Sequence, residues 1–216
     1  MSAKLSRRQF LLRTAIGLGA TVVACGGATT LATLTPSFDY AEQTLTDGEN
    51  AVNQKILVAY ATRCGSTMGV AEAIADELSK NGKNVDLLEV RRVGDLQGYS
   101  AVVLGSAIRM GNWVPEALKF VETNQAELGR MPLAIFSVHM QNTGDDEESQ
   151  EARAGYHAAA RKLVTPAAES WFSGAIDLKK MAFLDRMISK AMKAVDEDKR
   201  DWSAIRTWGQ TLSTTI

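Results

Sequence analysis

Residues 55–78, KILVAYATRCGSTMGVAEAIADEL, constrain the fold of this chain more than any other stretch. The apolar run Ile56, Leu57, Val58, Ala59, Tyr60 reads as a buried strand. It breaks into the polar turn Ala61, Thr62, Arg63, Cys64, Gly65, Ser66, Thr67, after which Met68, Val70, Ala71, Ile74 and Leu78 recur at helical spacing. A strand, a hydroxyl-rich turn and a helix together present backbone N–H groups to an anion, because the first turn of a helix leaves its donors without intrahelical partners. Thr62, Ser66 and Thr67 add side-chain donors, and Gly65 lets the backbone approach a ligand closely. One reading is a phosphate-binding loop; the other is a Ser/Thr helix cap following a strand.

The turn has neither the lysine of a GxxxxGKS/T loop nor the three glycines of GxGxxG. Hydroxyls with few cations suit a phosphomonoester held by hydrogen bonds, as in FMN.

At 216 residues the chain has room for one domain of roughly 150–160 residues and an N-terminal appendage. A domain of that size buries a full core without disulfides. Residues 1–38 carry Lys4, Arg7, Arg8 and Arg13 and no acid, which leaves 20 basic against 25 acidic residues in the remainder. With no basic stripe in the globular part, nucleic acid is excluded as a partner class. Residues 1–25 read as an export signal: Ser6, Arg7, Arg8, Gln9, Phe10, Leu11 resemble the twin-arginine consensus, ahead of a short apolar segment, AIGLGATVVA. Val22, Val23, Ala24, Cys25 resemble a lipobox, with Cys25 as the residue to be acylated; ordinary cleavage nearby and an uncleaved anchor are the alternatives. If Cys25 is acylated, Cys64 has no partner for a disulfide and reads as a small polar filler of the loop. Residues 26–53, rich in Thr, Gly and Ala, read as a flexible tether to a domain spanning 54–216.

Further strands are expected at 84–90, 101–106, 131–138 and 169–176, and helices at 115–125, 150–164, 183–195 and 203–212. Alternation of buried strands with helices predicts a doubly wound parallel sheet in a three-layer α/β/α sandwich. Five strands with an anion loop after the first fit the order 2-1-3-4-5. The ligand then sits beyond the C-terminal ends of strands 1, 3 and 4. The loop expected after strand 3 is Ser106, Ala107, Ile108, Arg109, Met110, Gly111, Asn112, Trp113, a set able to sandwich a flat ring and bond its edge. Trp113 reads either as a stacking ring or as a helix-entry aromatic of the core. His139 and Met140, in the loop after strand 4, reach the same crevice; His139 alternatively caps or faces solvent. No metal site is expected, and no proton donor is singled out. Arg109 and His139 are candidates for positioning a substrate. No apolar stripe stands out as surplus, so the oligomeric state stays open.

These residues resemble the flavodoxin family. Thr62, Gly65 and Thr67 match its T-x-x-G-x-T phosphate loop, with Ser66 in a variable place. The resemblance is closer to the flavodoxin-like menaquinone-dependent protoporphyrinogen oxidases, through Ala107-Ile108-Arg109-Met110-Gly111, Phe136-Ser137-Val138, Gly174-Ala175, Leu184-Asp185-Arg186-Met187-Ile188 and Asp201-Trp202. It implies FMN as cofactor, bound by Thr62, Arg63, Cys64, Gly65, Ser66, Thr67 and the two later loops, and quinone-linked redox chemistry. Where that branch carries an aromatic and basic insert, residues 139–153 here are acidic, and the export signal argues against a porphyrinogen made inside the cell.

Three function classes follow. The first is an FMN oxidoreductase delivering electrons to the quinone pool from the outer face of the membrane, anchored by its N-terminus. The second is an exported electron carrier that docks to a redox partner protein through the acidic face at 144–151. The third is a non-redox lipoprotein on the same fold.

Overall fold

A computed structural model describes residues 39–46, 55–191 and 193–216. The expected export signal, Cys25 and most of the expected tether lie outside these residues. The first parallel strand is β2 (Lys55–Ala61), followed by α1 (Ser66–Lys80), β3 (Asn84–Glu89), β4 (Tyr99–Arg109), α2 (Pro115–Thr123) and α3 (Gln125–Leu128). Then come β6 (Leu133–His139), α4 (Glu147–Gly155), α5 (Ala158–Arg161) and β7 (Ala168–Ser173). The parallel strands stand in the order β3-β2-β4-β6-β7, the expected 2-1-3-4-5 arrangement.

Successive side chains of each strand enter different cores, as a pleat of period two requires when both faces are covered. From β2, Ile56, Val58 and Tyr60 pack with Val70, Ile74 and Leu78 of α1 and with Ile205 and Leu212 of the last helix, α7 (Trp202–Thr215). Leu57, Ala59 and Ala61 face the opposite layer, where Val114, Ala117, Phe120 and Val121 cover them. Each fully buried Leu or Ile contributes about 1.5–3 kcal/mol, so the two cores account for the sandwich.

α1 and α7 approach closely at Gly209, where a Cβ would stand 3.1 Å from the Glu77 Cβ. Beside that contact Glu77 accepts hydrogen bonds from Gln210 Nε2 (2.9 Å), Lys80 Nζ (2.9 Å) and Arg206 Nη1 (3.2 Å). The Gln210 bond first, then Lys80, hold its carboxyl down at about 2. A folded-state pKa below the ordinary carboxylate value stabilises the fold at neutral pH, and the contribution is lost as pH falls towards 2. Glu77→Gln is expected to cost about 1–2 kcal/mol at neutral pH, its partners being part-exposed. In urea melts the gap between wild type and variant should close as the solution is acidified.

Several boundaries differ from expectation. Gln43–Leu45, inside the expected tether, forms an edge strand, β1, antiparallel to β3. Its anchors are distant in sequence: Thr44 Oγ1 donates to Asp86 (2.8 Å), and the Tyr60 hydroxyl donates to the Ala41 carbonyl (2.8 Å). The third parallel strand runs on through Arg109, and Asn112–Trp113 returns beside it as β5, so the expected loop 106–113 is largely a hairpin. The expected helix 150–164 is two short helices, α4 and α5. The expected strand 169–176 divides into β7 and β8 (Ala175–Ile176), the latter paired with β9 (Glu197–Asp198) in a small separate sheet. Between β8 and β9 lies α6 (Phe183–Ala191), shorter than the helix expected at 183–195.

Candidate functional site

A cleft of about 410 Å³ opens at the C-terminal ends of β2, β4 and β6, at the switch point of the sheet. Its floor is the turn between β2 and α1. Gly65 takes the left-handed conformation (φ 85°), which frees the chain to enter α1 abruptly. No side chain caps α1, because the residue in the cap position is this glycine. The Thr62 hydroxyl accepts from the Gly65 N–H (3.1 Å) and fixes the turn. Ser66 Oγ accepts from the Ala175 N–H (2.8 Å), tying the turn to β8. Thr67 is buried, and its hydroxyl has no partner.

One wall is the β4–β5 hairpin. Its tip, Met110 (φ 51°) and Gly111 (φ 75°), has both residues left-handed, which matches the twist of a two-residue hairpin. Ala107, Ile108, Arg109, Met110 and Gly111 line the cleft. Ser106, Asn112 and Trp113 do not. Ser106 is buried, its Oγ accepting from the Val114 N–H (3.2 Å), and Asn112 Nδ2 donates to the Met110 carbonyl at the hairpin tip (3.0 Å).

Trp113 is a core residue: it is buried, donates Nε1–H to Ser137 Oγ (2.8 Å) and meets His157 edge-on. The core reading of Trp113 holds over ring stacking. Trp113→Phe is therefore expected to cost about 1–2 kcal/mol by leaving Ser137 Oγ unpartnered in a dry site. Thermal melts should show the loss, with ligand binding in the cleft unchanged.

Arg63 lines the cleft with both Nη groups engaged and Nε buried without a partner. It forms a buried two-point ion pair with Glu116 in the first turn of α2, with Nη2 to Oε2 at 2.9 Å. The pair braces the turn against α2 and neutralises most of the guanidinium charge. Cys64 Sγ donates to the Ala175 carbonyl (3.4 Å), and burial pushes its thiol up from the ordinary value, so it is a filler, not a nucleophile.

His139 ends β6 rather than opening a loop. It is buried at the cleft, tilted against Tyr156, with Nδ1 2.7 Å from the Gln141 carbonyl. Burial lowers its pKa, and a carbonyl can only accept, so Nδ1 carries the proton of a neutral ring and Nε2 is an acceptor. Nε2 is buried with no partner. Met140 lines the cleft beside it. Arg109 Nη2 donates to Asp185 Oδ1 (2.7 Å), joining the hairpin to α6.

The remaining walls were not among the expected site residues. Gly174, Ala175 and Ile176 form the third side, and Met181, Asp185 and Ile188 roof it. Gly174 packs so tightly that a Cβ would stand 2.7 Å from Val138 Cγ1 and 2.9 Å from Ser66 Oγ. The available signal was the Gly-Ala pair just after the last parallel strand, which sits where the β7 connection must pass the turn at 62–66.

A family model described as a flavodoxin domain matches residues 57–203. The protoporphyrinogen IX dehydrogenase (quinone) of Escherichia coli (strain K12) is 26% identical over 166 residues, covering 72% of this chain and 90% of that protein. The protein of the same name from Leishmania major is 28% identical over 171 residues, covering 70% of this chain and 71% of its own length. Among solved structures, oxidised flavodoxin 1 from Bacillus cereus shares the fold, with a TM-score of 0.51 at 12% identity over 76% of this chain and 99% of that one. With the family model spanning the parallel strands from Leu57 on, the turn between β2 and α1 and every wall of the cleft, the chain belongs to the flavodoxin-domain family.

Proposed function

We propose that this protein is an FMN-dependent oxidoreductase that passes electrons to a quinone. The observation that carries the reading is the cleft itself, where an uncapped helix start meets an apolar hairpin and four lining residues hold buried, unpartnered polar atoms: Thr67 Oγ1, His139 Nε2, Arg63 Nε and Asp185 Oδ2. These residues fit the group. Thr62, Ser66 and Thr67, with the N–H groups at the start of α1, would hold the phosphate, where the helix dipole favours negative charge. Backbone groups of 107–111 would meet the polar ring edge, and neutral His139 would accept from a ring N–H. Bound FMN supplies the redox chemistry, which no protein side chain performs as well. Met181 and Ile188 exclude water from above, and Asp185 neutralises Arg109, so the roof adds little net charge to the site.

Quinone as acceptor is supported by the Escherichia coli and Leishmania major relatives, both protoporphyrinogen IX dehydrogenases (quinone). The twin-arginine-like and lipobox-like segments support export and attachment through Cys25 as part of the same proposal. An electron carrier is the second reading, favoured by α4, which buries no residue and displays Glu147, Glu148 and Glu151 beside Asp145 and Asp146.

Titrating the purified full chain with FMN is expected to give flavin absorption and quenched flavin fluorescence. Stopped-flow mixing of the reduced protein with a soluble menaquinone analogue should then reoxidise it faster than oxygen alone. Uptake without acceleration would leave the carrier; no uptake would remove both.

A further inference from the structure

Of the five large apolar side chains exposed among the described residues, four lie on or next to segments that line the cleft; the fifth, Trp202, lies under Arg200 away from it. Met110 (78% exposed) is the tip of the hairpin, and Phe183 (75%) and Met187 (54%) stand on the outer side of α6. Val195 (66%) follows Ala194, itself a lining residue. The inner side of α6 is already used, since Asp185, Ile188 and Ser189 face the cleft. Its outer stripe, Phe183, Met187 and Lys190, follows the i, i+4, i+7 spacing and stands in solvent. This is the surplus apolar stripe that the sequence did not disclose.

Basic residues outnumber acids around the stripe. Residues 179–193 carry Lys179, Lys180, Arg186, Lys190 and Lys193 against Asp185, which is bound to Arg109; at the two ends stand Asp177, 3.7 Å from Lys180, and Asp196, Glu197 and Asp198, the last two paired with Lys199 and Arg200. The four lysines are exposed, in a chain whose balance beyond residue 38 is acidic. Outward aromatic and thioether side chains flanked by lysines, whose alkyl stems lie along an apolar surface while their ammonium groups stay in water, form the pattern of a helix that lies in a membrane interface. No described helix is long and apolar enough to cross a membrane. A second copy on this face would bring a second set of these lysines to it, which adds to the positive charge gathered there.

The geometry points to α6 and the hairpin tip as a docking face for an anionic lipid bilayer, with the mouth of the cleft turned towards the lipid. The ion pair Arg109–Asp185 holds the two parts of the face together. The docking itself stands on the exposed stripe and its lysines. Only its purpose, admitting a lipid-soluble quinone without passage through water, rests on the function proposed above.

The test is hydrogen–deuterium exchange of the full chain with and without vesicles of phosphatidylglycerol and phosphatidylethanolamine, read peptide by peptide. Binding through the N-terminal segment is thereby separated from binding through α6. Peptides covering 179–195 are expected to exchange about ten-fold more slowly on these vesicles, and to lose most of that protection on phosphatidylcholine vesicles or at high salt. Phe183→Asp with Met187→Asp should abolish the protection, and Phe183→Leu with Met187→Leu should retain it, both with unchanged exchange in β2 and β4. Equal exchange at 179–195 with and without vesicles overturns the proposal, whatever the quinone assay shows. So does protection that appears without lipid as protein concentration rises, which would assign the face to a second copy.

Discussion

Gly105→Ala is expected to destabilise the fold by about 3 kcal/mol, at the upper end of overpacking costs. Gly105 lies in the middle of β4, opposite Phe136 of β6. A Cβ there would stand 2.1 Å from Phe136 Cζ and 2.5 and 2.6 Å from the two Cε atoms. The ring cannot swing aside cheaply, because it is fully buried, with Phe172 and Trp208 against it at centroid distances of 6.1 and 5.9 Å. In a domain of this size the loss corresponds to a fall in melting temperature of roughly 6–12 °C. Thermal and urea melts measure it directly, and Phe136→Leu in the Gly105→Ala background should recover part of the loss, as coupled neighbours do. A change below about 0.5 kcal/mol, the level of an ordinary surface substitution, would show that the sheet yields where the packing says it cannot.

Thr67→Ala is expected to separate ligand affinity from stability. Its hydroxyl is buried without a partner in the protein, so its removal should leave the melting temperature of the flavin-free chain unchanged or slightly raised. FMN affinity should fall by roughly ten- to a hundred-fold, the loss of a hydrogen bond to a charged group. Ser66→Ala should lower both quantities, because the same oxygen holds the Ala175 N–H. Thr62→Ala should lower both as well, through the turn bond to Gly65. Fluorescence titration and melts of the three variants check the pattern. Thr67→Ala binding FMN within two-fold of wild type would take the phosphate away from this turn.

The central sheet and the strand–turn–helix at 55–80 were legible because local signals suffice for them. An unbroken apolar run of β-formers followed by helical spacing leaves few alternatives, and strand alternation with helices fixes the winding. The extension of β4 was not legible, since Ala107, Ile108 and Arg109 lack a strand's alternation and Met110-Gly111 is not the usual Asn-Gly or Asp-Gly signature of a hairpin turn. Trp113 was ambiguous because its deciding partner, Ser137, lies 24 residues away in sequence. The roof was harder still. Asp185 stands 76 residues from Arg109, and the β8 carbonyl and N–H that hold Cys64 and Ser66 are 111 and 109 residues from them. Such contacts follow from topology and become readable only once the connection after β7 is placed.

β1 carries a practical meaning beyond its three residue pairs. It covers the outer side of β3, whose N–H and C=O groups would otherwise offer a ready template for another chain. Protein shortened to begin at residue 54 would lose that cover along with the Tyr60–Ala41 bond, and should self-associate by strand pairing as its concentration rises. A chain that starts at residue 39 retains both, so the boundary of a well-behaved soluble fragment lies before the edge strand.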